Sequence, residues 1–333
     1  MKYVAKVPLR VSFFGGGTDI PPYCNEFGGE ILFCTINKYA YCEIESLPDS
    51  NVILLGESNE VYLNGDEGYM GKNGIIKAVL HEQKMQTGCR IKIYSDTEPG
   101  TGLGGSSAQI AAIILACCSL EHKEISKREL ARQAYYIERM IMHVSGGYQD
   151  PITTVYGGIG YLKVNDIENF NVELLKLDAG RAEELRKHLL LYNTGIRHDS
   201  SVIMEDHIKV QMKGRKQSKE TLDFIKSLAV KARMMLEQGN IMDFGAMLYY
   251  GWEYKKRMSA QVSNDDINRL YDNVRKAGAL GGKILGAGSG GYLLIFSDLK
   301  NQKRIRTFLL GEKGGIEEGW QFDFIGARVE KIK

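Results

Sequence analysis

Apolar and polar residues alternate through the opening MKYVAKVPLRV, a period of two that predicts a strand with one face turned inward. The extended run continues over Val7 to Phe14 and stops at three glycines, Gly15, Gly16 and Gly17. A different pattern begins at QIAAIILACCSL, residues 109–120, where an unbroken apolar stretch following a glycine-rich segment predicts a buried helix. Between Ala131 and Val144, the apolar residues Ala134, Ile137, Ile141 and Val144 recur at helical spacing, which leaves Glu138 on a flank; Gly146 and Gly147 then end the helix. Asp150 stands before Pro151, a position biased toward extended backbone. Met204 to Gln238 is rich in Lys, Glu, Met and Leu without a proline, and predicts helix with a turn near Gly214 and a solvated face at KGRKQSKE. Near the end, YLLIFSD is β-prone, so the glycines of KILGAGSGG lie between two strands. Periodicity thus gives mixed α and β, with strands and crossing helices over residues 1–164 and longer helices over 165–333.

Composition narrows the class. A chain of 333 residues with 44% hydrophobic content can bury a full core and has a length that suits two domains. A formal net charge of +2 gives no reason to expect nucleic acid or a membrane as partner. The cysteines, at 24, 34, 42, 89, 117 and 118, have neither zinc-site spacing nor the density of a disulfide scaffold, and read as reduced core thiols. No histidine pair has metal spacing, no apolar run reaches spanning length, and the opening residues read as a strand rather than a signal peptide. A cytoplasmic protein is expected.

The chemistry begins at EPGTGLGGSSA, residues 98–108. Glycines at 100, 102, 104 and 105 let backbone amides turn toward one point, and the helix beginning near Ser106 adds its unpaired amides and positive dipole end. Ser106 and Ser107 offer hydroxyls to a phosphate oxygen or a metal-bound water. The bland alternative is a glycine-rich turn capped by serine. No lysine follows the glycines, so a Walker-type site is not supported. The GxGxxG match at Gly286, Gly288 and Gly291 is no dinucleotide fingerprint either, since it joins two strands instead of opening a helix.

Taken in order, VPLRVSFFGGGTDIPPY, PGTGLGGSSA and KILGAGSGGYLLIF resemble the three signatures of the GHMP kinases, across essentially the whole chain. The resemblance implies an α+β two-domain fold: a ribosomal protein S5 domain 2-like first domain (1–164) and a ferredoxin-like second (165–333). It implies ATP, with its phosphates on Pro99, Gly100, Thr101, Gly102, Leu103, Gly104, Gly105, Ser106, Ser107 and Ala108. Arg10 is then expected beside the transferred phosphoryl group, and Asp19, with Gly16, Gly17 and Thr18, at the substrate hydroxyls. The third loop, with Gly288 and Ser289, is expected beside the first signature. Galactokinase-like members carry Gly-Glu-His before Thr-Asp; this chain has three glycines, which argues against galactose. By resemblance Glu138 and Ser107 hold Mg2+, a hard cation suited to oxygen donors, and Asp150 is the base, although Pro151 replaces the usual Gln. A homodimer is also implied.

GGGTDIPPY, NTGIRHDSS (193–201) and GWEYKKRMS (251–259) further resemble the branch that phosphorylates the anomeric hydroxyl of a heptose 7-phosphate. A sugar phosphate needs cations or amides for its dianion, and the candidates are Arg197, Lys255, Lys256 and Arg257, each with a solvent-facing alternative. Lys255 and Lys256 point in adjacent directions on a helix, so the bases do not all face one ligand. Ser200 and Ser201 are open between capping a helix and touching that phosphate. Two rivals stand beside this reading. A kinase for L-fucose or another neutral sugar needs hydrogen-bonding side chains where these cations stand. A non-catalytic sugar sensor has no need to keep Ser107, Glu138 and Asp150 together.

Overall fold

The computed structural model describes residues 1–55, 60–62, 73–196, 200–213, 215–312 and 314–332. The opening strand, Lys2–Phe14, alternates buried and half-buried residues as far as Val7 and is buried without interruption from there to Phe14. The change marks where a single covered face becomes two. The helix Gly105–Leu120 packs on one part of this strand, and the helices Arg215–Gln238 and Ile241–Lys256 of the second half also reach it.

The larger sheet has eight strands. Lys2–Phe14 lies between Arg328–Ile332 and the 18-residue strand Gly29–Ser46, antiparallel to both. Gly29–Ser46 pairs in turn with Cys89–Ser95 through residues 40–46 and with Ile159–Val164 through 29–34. Phe170–Leu174 lies outside Ile159–Val164, and Val52–Leu55 runs parallel to Cys89–Ser95 with Glu60–Tyr62 beyond it. Two strands that follow residue 164 therefore complete the sheet of the first half. The smaller sheet has four antiparallel strands in the order Ile316–Glu318, Leu189–Asn193, Tyr292–Ser297 and Ala279–Ile284. Helix Asp265–Lys276 buries Ile267, Leu270, Tyr271 and Val274 on one side, and the Asn264 side chain accepts from the Ile267 amide at its start.

The two sheets meet at an aromatic seam. Phe13 and Phe14 stand edge-on to Phe244 with ring centroids 5.4 and 5.3 Å apart, and Phe244 reaches Phe296 at 6.4 Å. The expected strands and the buried helix after the glycine run are present, and all six cysteines are free and buried. Among the described residues no helix is long and apolar enough to cross a membrane. Helices Ser200–Lys213 and Arg215–Gln238 flank Gly214, which is outside the described residues, as are Arg197 and the side chains of Ser200 and Ser201.

Two local expectations are corrected. The helix placed over 131–144 is an α-helix, Lys127–Tyr135, followed by a π-helical turn, Tyr136–Ile141. The wider turn leaves Ile141 and Val144 only half-buried while Glu138 is buried. Asp150 is helical rather than extended, in the first turn of Gln149–Tyr156. Pro151 is tolerated there because first-turn amides have no partner within the helix.

Candidate functional site

The glycine-rich segment packs down between two other loops. Gly100, Gly102 and Gly104 take φ of 75°, 82° and 74°, left-handed values that a side chain disfavours. A Cβ on Gly102 would lie 2.5 Å from the Leu285 carbonyl oxygen, and one on Gly286 would lie 2.5 Å from the Gly102 Cα. The Arg10 amide donates to the Leu103 carbonyl at 3.0 Å and the Tyr292 amide to the Thr101 carbonyl at 3.2 Å, so the second glycine segment is tied to the strand of the first motif and to the third. Gly105 differs: a Cβ there would meet nothing within 4 Å. That open space lies over the first turn of Gly105–Leu120, where amide donors and the helix dipole favour an anion. It faces a cleft lined by Gly100, Thr101, Gly102, Gly104, Gly105, Ser106 and Ser107 on this side.

Across the cleft stand two acids with separate partners. Ser107 donates its hydroxyl to Glu138 Oε2 at 2.5 Å, and Arg139 lies 3.3 Å from the same oxygen. Both Ser107 and Glu138 are buried. Among the described residues no group of three His, Cys, Asp or Glu could hold a metal. Any cation here would therefore draw on Glu138, the Ser107 hydroxyl, ligand phosphates and water, a hard-oxygen set that fits Mg2+.

Asp150 is held through one oxygen. Oδ1 accepts from Arg10 Nε at 2.8 Å, Arg10 Nη2 at 2.7 Å and Gln149 Nε2 at 2.9 Å. Among the described residues nothing donates to Oδ2, and 26% of the side chain is exposed, on the cleft. Burial pushes the Asp150 carboxyl up, but Arg10, Gln149 and Arg139 outweigh it and hold the group below its ordinary value of 3.8. Arg10 is itself buried in the first strand and reaches the Gly102 carbonyl at 2.5 Å. One side chain thus joins the phosphate loop to the acid.

Asp19 occupies the third corner. Its oxygens accept from the Gln149 amide at 2.9 Å and the Gly17 amide at 3.1 Å. A Cβ on Gly147 would lie 2.1 Å from Asp19 Oδ2, so only glycine lets this loop close on the carboxylate. Burial raises the Asp19 pKa above 3.8 against these amides, with Asp150 adding to the rise.

Of the other residues singled out by sequence, Gly16, Gly17 and Lys255 line the cleft, whereas Pro99, Leu103, Ala108, Thr18, Gly288, Ser289 and Lys256 do not. Thr18 is buried and donates to the Gly15 carbonyl at 2.7 Å, shaping the loop from behind. Gly288 and Ser289 face the short 3-10 turn Ala260–Val262, and the Ser289 amide donates to the Val262 carbonyl at 2.7 Å. Lys256 pairs with Glu253 at 2.7 Å, and Arg257 stacks 4.2 Å from the Tyr254 ring centre. Arg139, Gln149 and Lys283 also line the cleft and were not singled out by sequence. Lys283 had a signal, a cation inside the otherwise apolar strand before the third glycine loop.

Residues 72–158 match the GHMP kinases N terminal domain and residues 231–315 the GHMP kinases C terminal domain. The chain is 30% identical over 322 residues, 94% of each chain, to D-glycero-alpha-D-manno-heptose 7-phosphate kinase of Campylobacter jejuni subsp. jejuni serotype O:2. It is 23% identical to the bifunctional fucokinase/GDP-fucose pyrophosphorylase of Arabidopsis thaliana, a match that spans 96% of this chain and 31% of that one. The crystal structure of a D-glycero-D-manno-heptose 1-phosphate kinase from Bacteriodes thetaiotaomicron superposes with a TM-score of 0.81 at 27% identity, covering 99% of each chain.

Proposed function

Because the chain belongs to the GHMP kinase family and its sugar-kinase relatives are ATP-dependent phosphotransferases with a hydroxyl acceptor, we propose that it phosphorylates the anomeric C1 hydroxyl of D-glycero-D-manno-heptose 7-phosphate, giving the 1,7-bisphosphate. The observation that carries the reading is the state of Asp150, with Oδ1 saturated by three donors and Oδ2 left toward the cleft.

In this reading the segment Pro99 to Ala108 cradles the ATP phosphates through its amides, with the open face of Gly105 admitting them. Glu138 and Ser107 hold Mg2+, which supplies charge neutralisation to the phosphates when bound. Asp19, steadied by two amides, accepts hydrogen bonds from sugar hydroxyls beside Gly16 and Gly17. Asp150 Oδ2 orients the C1 hydroxyl and takes its proton as O1 bonds to the γ-phosphorus. The bond from that phosphorus to the bridging oxygen breaks, and ADP leaves. Arg10 has one hand on the phosphate loop and one on Asp150, so it sets the distance between donor and acceptor while countering charge on the phosphoryl group. Lys255 faces the phosphate that the acceptor already carries.

The test is ADP release with ATP and Mg2+ against D-glycero-D-manno-heptose 7-phosphate, mannose 6-phosphate, L-fucose, galactose and no acceptor. Turnover confined to the heptose phosphate is expected. Turnover on L-fucose alone would keep the kinase and replace the substrate, in line with the plant fucokinase match; silence on every acceptor would leave a sugar-binding protein.

A further inference from the structure

Two lysines of the second half reach the cleft, Lys255 from the end of helix Ile241–Lys256 and Lys283 from strand Ala279–Ile284. Each is only 6% exposed. Lys255 Nζ donates to the Gly286 carbonyl at 2.5 Å and the Ile284 carbonyl at 3.4 Å, and Lys283 Nζ to the Phe13 carbonyl at 3.2 Å. The two arginines of the cleft have carboxylate partners, Asp150 for Arg10 and Glu138 for Arg139. Among the described residues neither lysine is in direct contact with one: Asp150 and Asp19 act on Lys255 only across the cleft, and no carboxylate acts on Lys283. An ammonium carries three donors, so two on Lys283 are unspent, and the charged groups that act on it, Lys255 and Arg10, are cations like itself. Two such groups lining one cleft call for an anion supplied from outside.

Their position indicates which anion. Beyond the main cleft, both lysines also line a side recess walled by Phe13, Phe14, Gly15 and Gly16, to which no residue of the 98–108 segment contributes. The recess lies on the side of the three-glycine loop, where Gly17 steadies Asp19; Lys283 reaches the cleft from that side, whereas Lys255 is also bound to the Gly286 carbonyl, which packs on Gly102. The carbonyl that Lys283 holds belongs to Phe13, two residues before that loop.

We infer that Lys283 and Lys255 together form a two-ammonium subsite for the acceptor's own phosphate group, an assignment that rests on the sugar-phosphate reading above. Lys283 is thereby a specificity-determining residue: it favours acceptors that bring a dianion, which pairs with both ammonium groups, over neutral sugars, which offer them no counter-charge. Without ligand, burial depresses the Lys283 pKa well below 10.5, with Lys255 and Arg10 adding to the effect, and burial takes Lys255 down to about 7. A bound phosphate reverses both.

The experiment compares D-glycero-D-manno-heptose 7-phosphate with D-glycero-D-manno-heptose in the wild-type protein and in Lys283→Met. The substitution is expected to lower kcat/KM for the phosphorylated sugar at least tenfold more than for the unphosphorylated one, through KM, while moving the KM for ATP far less. The melting temperature should not fall, because an unpaired buried charge has been replaced by an apolar chain of similar length. Equal losses on both sugars, or no loss on either, would overturn the subsite. Should the protein prefer another phosphorylated sugar, the heptose reading fails, and that sugar and its dephosphorylated form test Lys283 in the same way. A wild-type protein that turns over only neutral sugars would overturn both.

Discussion

Asp150 is held like a tool in a clamp rather than left as a free base. Three donors converge on Oδ1, and two of them belong to one guanidinium, which fixes the plane of the carboxylate as well as its place. The same donors keep it ionised: its folded pKa lies below 3.8, so activity should show no acidic limb from Asp150 in the neutral range. Asp150→Asn preserves the shape and can still accept from a hydroxyl, but it cannot take the proton. Turnover is expected to drop by a factor on the order of 10² or more with ATP binding nearly intact; equal losses in turnover and ATP affinity, measured by titration and steady-state kinetics, would remove the base role. Arg10 and Asp19 were legible because a short motif carries them, and Glu138 and Asp150 because the segment around them resembles that of the family. Gln149 and Arg139 were not, since each acts through a neighbour that only folding supplies: Gln149 through Asp150 and its own amide to Asp19, Arg139 through the loop at Gly146.

At the scale of elements, the site is a meeting of loops, packed so closely that most of their glycines are fixed by their neighbours while Gly105 is left open. Gly102 and Gly105 lie three residues apart in one loop and answer to different constraints. A methyl at Gly102 would clash with the Leu285 carbonyl and would also need φ of 82°, so Gly102→Ala should destabilise the fold by about 1 kcal/mol or more and loosen nucleotide binding with it. Gly105→Ala has free space and begins a helix, so its melting temperature should stay level or rise while the KM for ATP increases, because the methyl stands where phosphates would lie. Thermal melts beside ATP kinetics separate the two, and parallel behaviour of both variants would refute this division of labour. The strands and the apolar helix were readable from their periods of two and of unbroken burial. The π-turn at Tyr136–Ile141 was not, because a 3.6-residue template assumes the α-helical step that this turn abandons. It turns Ile141 and Val144 partly out of the core, and it lies at the residue proposed to hold the metal.

Over the whole molecule, what the sequence hid was non-local. Nothing in the local pattern of Arg328–Ile332 says that it pairs with Lys2–Phe14 at the other end of the chain, nor that Lys255 and Lys283 bring charge from the smaller sheet's side to a cleft founded on the larger. That charge leaves a mark on global stability. Lys255 in the folded, ligand-free protein has a pKa of about 7, while in the unfolded chain it returns toward 10.5. Between these values the unfolded state binds the extra proton, so stability rises with pH, and below about 7 the lysine is protonated in both states and its burial penalty is fully felt. Lys283, shifted in the same direction, reinforces the slope. The buried thiols oppose it at higher pH: burial raises Cys24 from 9.0 to about 12 and Cys89 to about 11, so above pH 9 the unfolded chain loses protons that the folded one keeps, and stability falls. The unliganded protein should therefore be most stable near pH 9, with a melting temperature that climbs from about pH 7 to 8.5 and declines beyond 9.5. Lys255→Met should flatten the rising limb and leave the decline in place. A wild-type profile that is flat or falling between pH 7 and 8.5, or a variant profile as steep as the wild type's, would mean that Lys255 keeps its proton in the folded protein and that some counter-charge is already at hand.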